Sequence, residues 1–134
     1  MNQTAYFKFF IFSLFLLGLP VEAKLLKPSQ DGEKKEILII NGKRRLYYPV
    51  ETEGIYYSVD GPTRLEFISR YPVLKKKNKS NPFSYQIIVD DQDTIIVNHK
   101  YKVQKSIKSV QHPKHNYTYS GNYFINLSSG KHKV

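Results

Sequence analysis

The stretch Gly54–Tyr71, GIYYSVDGPTRLEFISRY, carries two alternating runs of apolar and polar residues around Asp60-Gly61-Pro62. Ile55, Tyr57 and Val59 share one face before that triplet, and Leu65 and Phe67 continue the set after it. A period of two marks a half-buried strand, and a Gly-Pro step between two such runs reads as a turn. The expectation is a central antiparallel hairpin with that apolar set inward. Tyr56, Arg64, Glu66 and Arg70 then lie on its outer face.

Upstream, Glu36–Ile40 gives a short apolar run, then Asn41-Gly42, then KRRLYYPV over Lys43–Val50. Asn-Gly between two strand-like runs is a strong hairpin signal, because both residues tolerate positive φ. Pro49 cannot donate to a ladder, so this return strand is expected at an edge or near its end. Downstream, strands are expected at Tyr85–Val89, at Thr94–Lys105 and at Asn122–Leu127, with a polar turn at Asp90–Asp93. Ser128-Ser129-Gly130 reads as a turn into a further strand that starts at Lys131 and looks clipped at Val134. No mature segment shows a 3.6-residue period, so no helix is expected. The fold class is all-β, a small antiparallel immunoglobulin-like sandwich of about seven strands.

The chain opens MNQTAYFKFFIFSLFLLGLPVEA, in which Lys8 precedes an apolar run to Leu19, broken by Gly18 and Pro20. Val21-Glu22-Ala23 places small residues where signal peptidase wants them, so residues 1–23 read as a cleavable signal peptide. The run is shorter than the roughly 20 residues that a membrane span takes. Tyr6 and Phe7 lengthen it and the basic flank is thin, so an uncleaved anchor is the alternative reading. Residues 24–35 read as a polar linker, and 36–134 as the sandwich domain. The expected location is secreted or periplasmic, with no transmembrane span once the leader is removed.

Among 134 residues there are 21 Lys and Arg against 11 Asp and Glu, a net charge of +10, and no cysteine. A basic field favours anionic partners, while export argues against nucleic acid. The absence of cysteine excludes disulfides, thiolate metal sites and cysteine nucleophiles. The densest basic run is Lys75, Lys76, Lys77 and Lys79; with Tyr56, Arg64, Glu66 and Arg70 it forms the candidate ligand-binding set. Aromatic rings beside guanidinium groups can stack on sugars or clamp carboxylates and phosphates.

Other constellations favour plainer readings. His112-Pro113-Lys114-His115 spaces two imidazoles at three residues, but no carboxylate lies beside them in sequence, so a solvated loop is expected. Asp90, Asp91 and Asp93 lack the glycine and distal Glu of a helix–loop–helix calcium site. Glu51 and Glu53 could be spaced like the paired acids of a glycosidase, but nothing sets either apart from a solvated side chain. Ser80, Ser128 and Ser129 lack a nucleophile elbow. Asn78, Asn116 and Asn126 head glycosylation triplets that matter only in a eukaryotic secretory route. No catalytic residue, cofactor or metal is expected, and His99 and His132 stand isolated.

IYYSV, then GPTRLEFISR, then the late INLSSGKH resemble a pattern in uncharacterised exported bacterial β-sandwich proteins. In that pattern a strand ends in Gly-Pro, an Arg-Leu strand follows, and a Pro/Ser-Gly-Lys-His-like turn precedes the final strand. The match spans Leu46–Val134. It implies an immunoglobulin- or fibronectin-like sandwich and carries over no catalytic residue; the stop at Val134 departs from it by leaving the last strand incomplete. The functional expectation is an exported, non-enzymatic module of the cell envelope that binds a protein or polysaccharide. A basic domain binding an anionic polymer or membrane surface is the alternative, and a small hydrolase the remote third.

Overall fold

Asn41 and Gly42 lie in the left-handed region, φ 52° and 76°, as a tight type I′ hairpin requires. The computed structural model describes residues 10–17, 23–29, 34–74 and 79–134. The turn joins β3 (Glu36–Ile40) to β4 (Lys43–Val50). The other strands are β1 (Phe10–Leu17), β2 (Ala23–Leu26), β5 (Ser58–Arg70), β6 (Pro72–Val73), β7 (Asn81–Val89), β8 (Asp93–Tyr101), β9 (Lys108–Ser109), β10 (Asn116–Tyr117) and β11 (Gly121–Lys133). The described residues contain no helix, so none is long and apolar enough to cross a membrane.

Seven strands form one open antiparallel sheet in the order β11-β5-β1-β4-β3-β9, with β2 paired to β1. β7 and β8 form a separate hairpin, and β6 pairs with β10. The expected all-β class and antiparallel sheet are therefore present.

The opening stretch is not a hairpin. β5 runs straight through Asp60-Gly61-Pro62, with a cis Gly61-Pro62 bond, and pairs with β11 along its length. The register passes from Leu127 opposite Thr63 to Gly130 opposite Gly61, so Ser128 and Ser129 together face Pro62. That two-against-one count is a β-bulge, which accommodates the donor proline lacks. The turn expected at Ser128–Gly130 is this same bulge, and β11 continues past it. Gly61 is dictated by the close approach, since a Cβ there would lie 1.8 Å from the Ser128 carbonyl oxygen.

Two further boundaries differ from expectation. β8 ends at Tyr101 rather than Lys105. β4 lies between β1 and β3 rather than at an edge, but its pairing with β3 stops at Tyr47, so Pro49 lies beyond it.

One face of the sheet packs against the β7–β8 hairpin. Phe12, Leu14, Tyr57, Val59, Leu65, Phe67 and Leu127 meet Phe83, Tyr85, Ile87 and Val97 there. All five inward residues expected of Gly54–Tyr71 join this cluster, Ile55 at its margin. On the opposite face Ile11, Leu38 and Tyr47 pack with Ile107 and Tyr117, and Ile68 borders them. A segment after β8 thus covers part of the face read as solvated.

Candidate functional site

The apolar run of the expected leader is β1, and it has a partner on both sides. Ile11–Leu17 pair with Arg70–Arg64 of β5. On the other side Phe10, Ile11 and Phe12 pair with Val50, Pro49 and Tyr48 of β4, and Leu14–Leu17 pair with Leu26–Ala23 of β2. Ile11, Phe12 and Leu14 suit this seat, because a strand paired on both sides with apolar side chains entering a core on each face needs no polar alternation. The leader's flank, residues 1–9, and most of its expected cleavage region, 18–22, lie outside the described residues.

β1 contributes to both cores. Phe12 and Leu14, 7% and 1% exposed, enter the cluster under the hairpin, while Ile11, fully buried, enters the other. The Phe12 ring stands edge-on to Phe67 and to Tyr85. Ser13 is buried but satisfied, its hydroxyl donating to the Leu46 carbonyl. Full burial of an apolar side chain of this size is worth about 1.5–3 kcal/mol, so the three together contribute roughly 5–9 kcal/mol. Total net stability of a small domain is about 5–15 kcal/mol. The strand is therefore indispensable to the sheet as it stands.

A cleft of about 620 Å³ opens beside the start of β1. Phe12, Val50, Tyr57, Phe67 and Tyr85 line its floor, and Glu53, Tyr56, Ile88 and Lys133 reach its rim. Its volume lies within the ordinary range for ligand pockets, and its lining is mostly apolar. Burial raises the pKa values of Tyr57 and Tyr85, the latter to about 12. The buried Tyr57 hydroxyl finds no hydrogen-bond partner among the described residues.

The candidate ligand-binding residues do not converge. Tyr56 is exposed at the cleft, with the Lys133 ammonium 5.2 Å from its ring centre. Arg64 stacks over Phe124 at 4.3 Å on the outer face, and Glu66 accepts from Asn122. Arg70 is not on an open face: it is 7% exposed and donates to the Tyr47 hydroxyl, the Gln104 side chain and the Thr118 carbonyl. The segment covering Ile68 covers it too. Lys79 is exposed, whereas Lys75, Lys76 and Lys77 lie outside the described residues. Glu51 pairs with Lys34 at 2.7 Å, and that cation holds its carboxyl below the usual range.

Two polar centres join residues that lie far apart in the sequence. His132 Nδ1 donates to the Asp90 carboxylate at 2.7 Å, and the Lys133 amide donates to the same carboxylate, tying the β7–β8 turn to β11. On the other face Glu36, 1% exposed, accepts from the hydroxyls of Ser109 and Tyr117 and lies 2.9 Å from His112 Nδ1. His115 stacks on His112 with ring centres 4.5 Å apart. Burial and the neighbouring His112 lower the pKa of His115. The carboxylate missing beside the histidines in sequence is thus supplied from 76 residues away. For Glu36 the sequence signal was no more than an acid at the head of an apolar run.

Comparison with protein-family models, curated proteins and solved structures finds no match for this chain.

Proposed function

We propose that the chain is an exported, non-enzymatic, immunoglobulin-like β module that takes up an extended segment of a protein partner as a strand between β4 and β5. One observation carries this reading: the segment with the pattern of a cleavable leader is the segment seated between those strands. In the precursor the leader fills the seat itself. Cleavage after Ala23 removes Ile11, Phe12 and Leu14 and leaves two unpaired strand edges above an apolar trough. Unpaired edges of this kind capture strands from other chains.

The chemistry of the seat selects a polypeptide over a polysaccharide, because only a peptide backbone restores a ladder on both sides. The incoming segment runs antiparallel to β4 and β5, as β1 does. It is apolar at the positions of Ile11, Phe12 and Leu14, which point into the two cores. The cleft beside Phe12 gives the incoming chain its entry, with Tyr56 at the rim.

The test is recovery of the processed chain from the cell envelope, followed by N-terminal sequencing and identification of whatever co-purifies. A chain starting at Lys24 and bound to an apolar segment that resists proteolysis is expected. A monomer that still begins at Met1 or Asn2 contradicts the proposal, because β1 is then a permanent part of the fold.

A further inference from the structure

We infer that Glu36, His112 and His115 form a binding site for a divalent transition-metal ion, with zinc the best chemical fit. The site lies on the opposite face of the sheet from the hairpin, and none of its three residues belongs to β1. One ligand atom from each of the three residues falls within 4.8 Å of the others.

Zinc holds imidazole nitrogens and carboxylate oxygens at about 2.0–2.1 Å, which sets neighbouring ligand atoms roughly 3.3 Å apart in a tetrahedron. His112 Nδ1 and the Glu36 carboxylate oxygens already stand 2.9 Å apart, near that spacing. His115 completes the set by a short movement of a half-exposed side chain. Its Nδ1, like that of His112, faces the Glu36 side, 3.3 Å from the Tyr117 hydroxyl.

The carboxylate is prepared for the role. Glu36 Oε2 accepts from Ser109 at 2.6 Å and from Tyr117, which fixes the side-chain orientation as outer partners of metal ligands do. Among the described residues Oε1 has only His112 beside it, so it is free to bind a cation once the imidazole nitrogen also does. Two imidazoles and one carboxylate favour zinc over calcium, which takes six or more oxygens. Three protein ligands leave a fourth position for water or an incoming group.

The test is a calorimetric titration of the untagged full chain with zinc chloride, with calcium chloride as comparison. One zinc per chain and no response to calcium are expected. His112→Ala and His115→Ala should each weaken binding by about tenfold or more, while His99→Ala and His132→Ala leave it unchanged. The two ligand histidines are exposed or half-exposed, so their variants should keep the wild-type β circular-dichroism spectrum. Absence of zinc binding, equal response to calcium, or zinc affinity unaltered in the double His112→Ala, His115→Ala chain overturns the assignment.

Discussion

The ring of Phe12 meets that of Tyr85 edge-on, centroids 4.7 Å apart and planes at 81°. This contact joins the first strand of the sheet to the hairpin layer that covers it. A segment with the composition of a leader thus holds the two layers together, and the proposed function follows from what its departure would expose.

The weight of that contact can be measured in the full chain. Phe12→Ala removes a buried ring that packs on both Phe67 and Tyr85. Truncating a core phenylalanine costs about 3–5 kcal/mol. Urea unfolding should show the midpoint falling accordingly, and a loss below about 1 kcal/mol would mean that β1 is not packed as described.

Gly61→Ala tests the straight course of β5 past the bulge. The added methyl meets the Ser128 carbonyl oxygen at 1.8 Å, so β5 or β11 must move. Forcing atoms into a filled space typically costs about 1–3 kcal/mol. In a hairpin turn at the same position the methyl would meet open solvent, and thermal melting of the variant would barely change.

Arg64 and Arg70 share a strand face but should respond differently. Arg70→Met leaves Tyr47, Gln104 and the Thr118 carbonyl without a buried charged donor, a loss of about 3 kcal/mol. Arg64→Ala gives up one exposed contact with Phe124, about 0.5–1 kcal/mol. Equal effects in denaturant melts would show that the covering segment does not close over Arg70.

Local patterns were legible because they depend on neighbours in the chain. Period-two alternation identified Tyr57, Val59, Leu65 and Phe67 as core, and Asn41-Gly42 identified its hairpin. What failed depended on distant partners. Gly61-Pro62 looks like a turn until the two serines of β11 are placed opposite it, and Arg70 looks solvated until residues 104–118 fold over it. Glu36 gave no more than an acid heading an apolar run, and His132 gave nothing, since their partners lie 76 and 42 residues away. The leader segment is a different case: an apolar run suits a signal peptide and a buried strand equally, and the two readings are compatible in a precursor.

The Asp90–His132 pair predicts a pH window. Hydrogen bonds from the Lys133 amide and His132 lower the Asp90 pKa from its usual 3.8, and the bond to Asp90 raises that of His132 above 6.5. The aspartate's contribution is present above pH 3.8 and lost as pH falls through its lowered value. The histidine's contribution is complete below pH 6.5 and lost as pH rises through its raised value. His132→Gln should therefore lower the melting temperature most at about pH 5–6, and its deficit should shrink by about pH 8.5. A deficit independent of pH would assign His132 a packing role alone.

The central claim is that β1 occupies a seat another strand can fill, and refolding of residues 24–134 tests it most directly. The segment is diluted from denaturant alone, with a peptide of the Phe10–Leu17 sequence carrying lysines for solubility, or with the same peptide bearing Leu14→Asp. Alone, or with the charged peptide, it should show no cooperative thermal transition. With the apolar peptide it should recover one, together with the near-ultraviolet signal of packed tyrosines. A cooperative melt of residues 24–134 alone, at the temperature of the full chain and unchanged by peptide, would contradict the account.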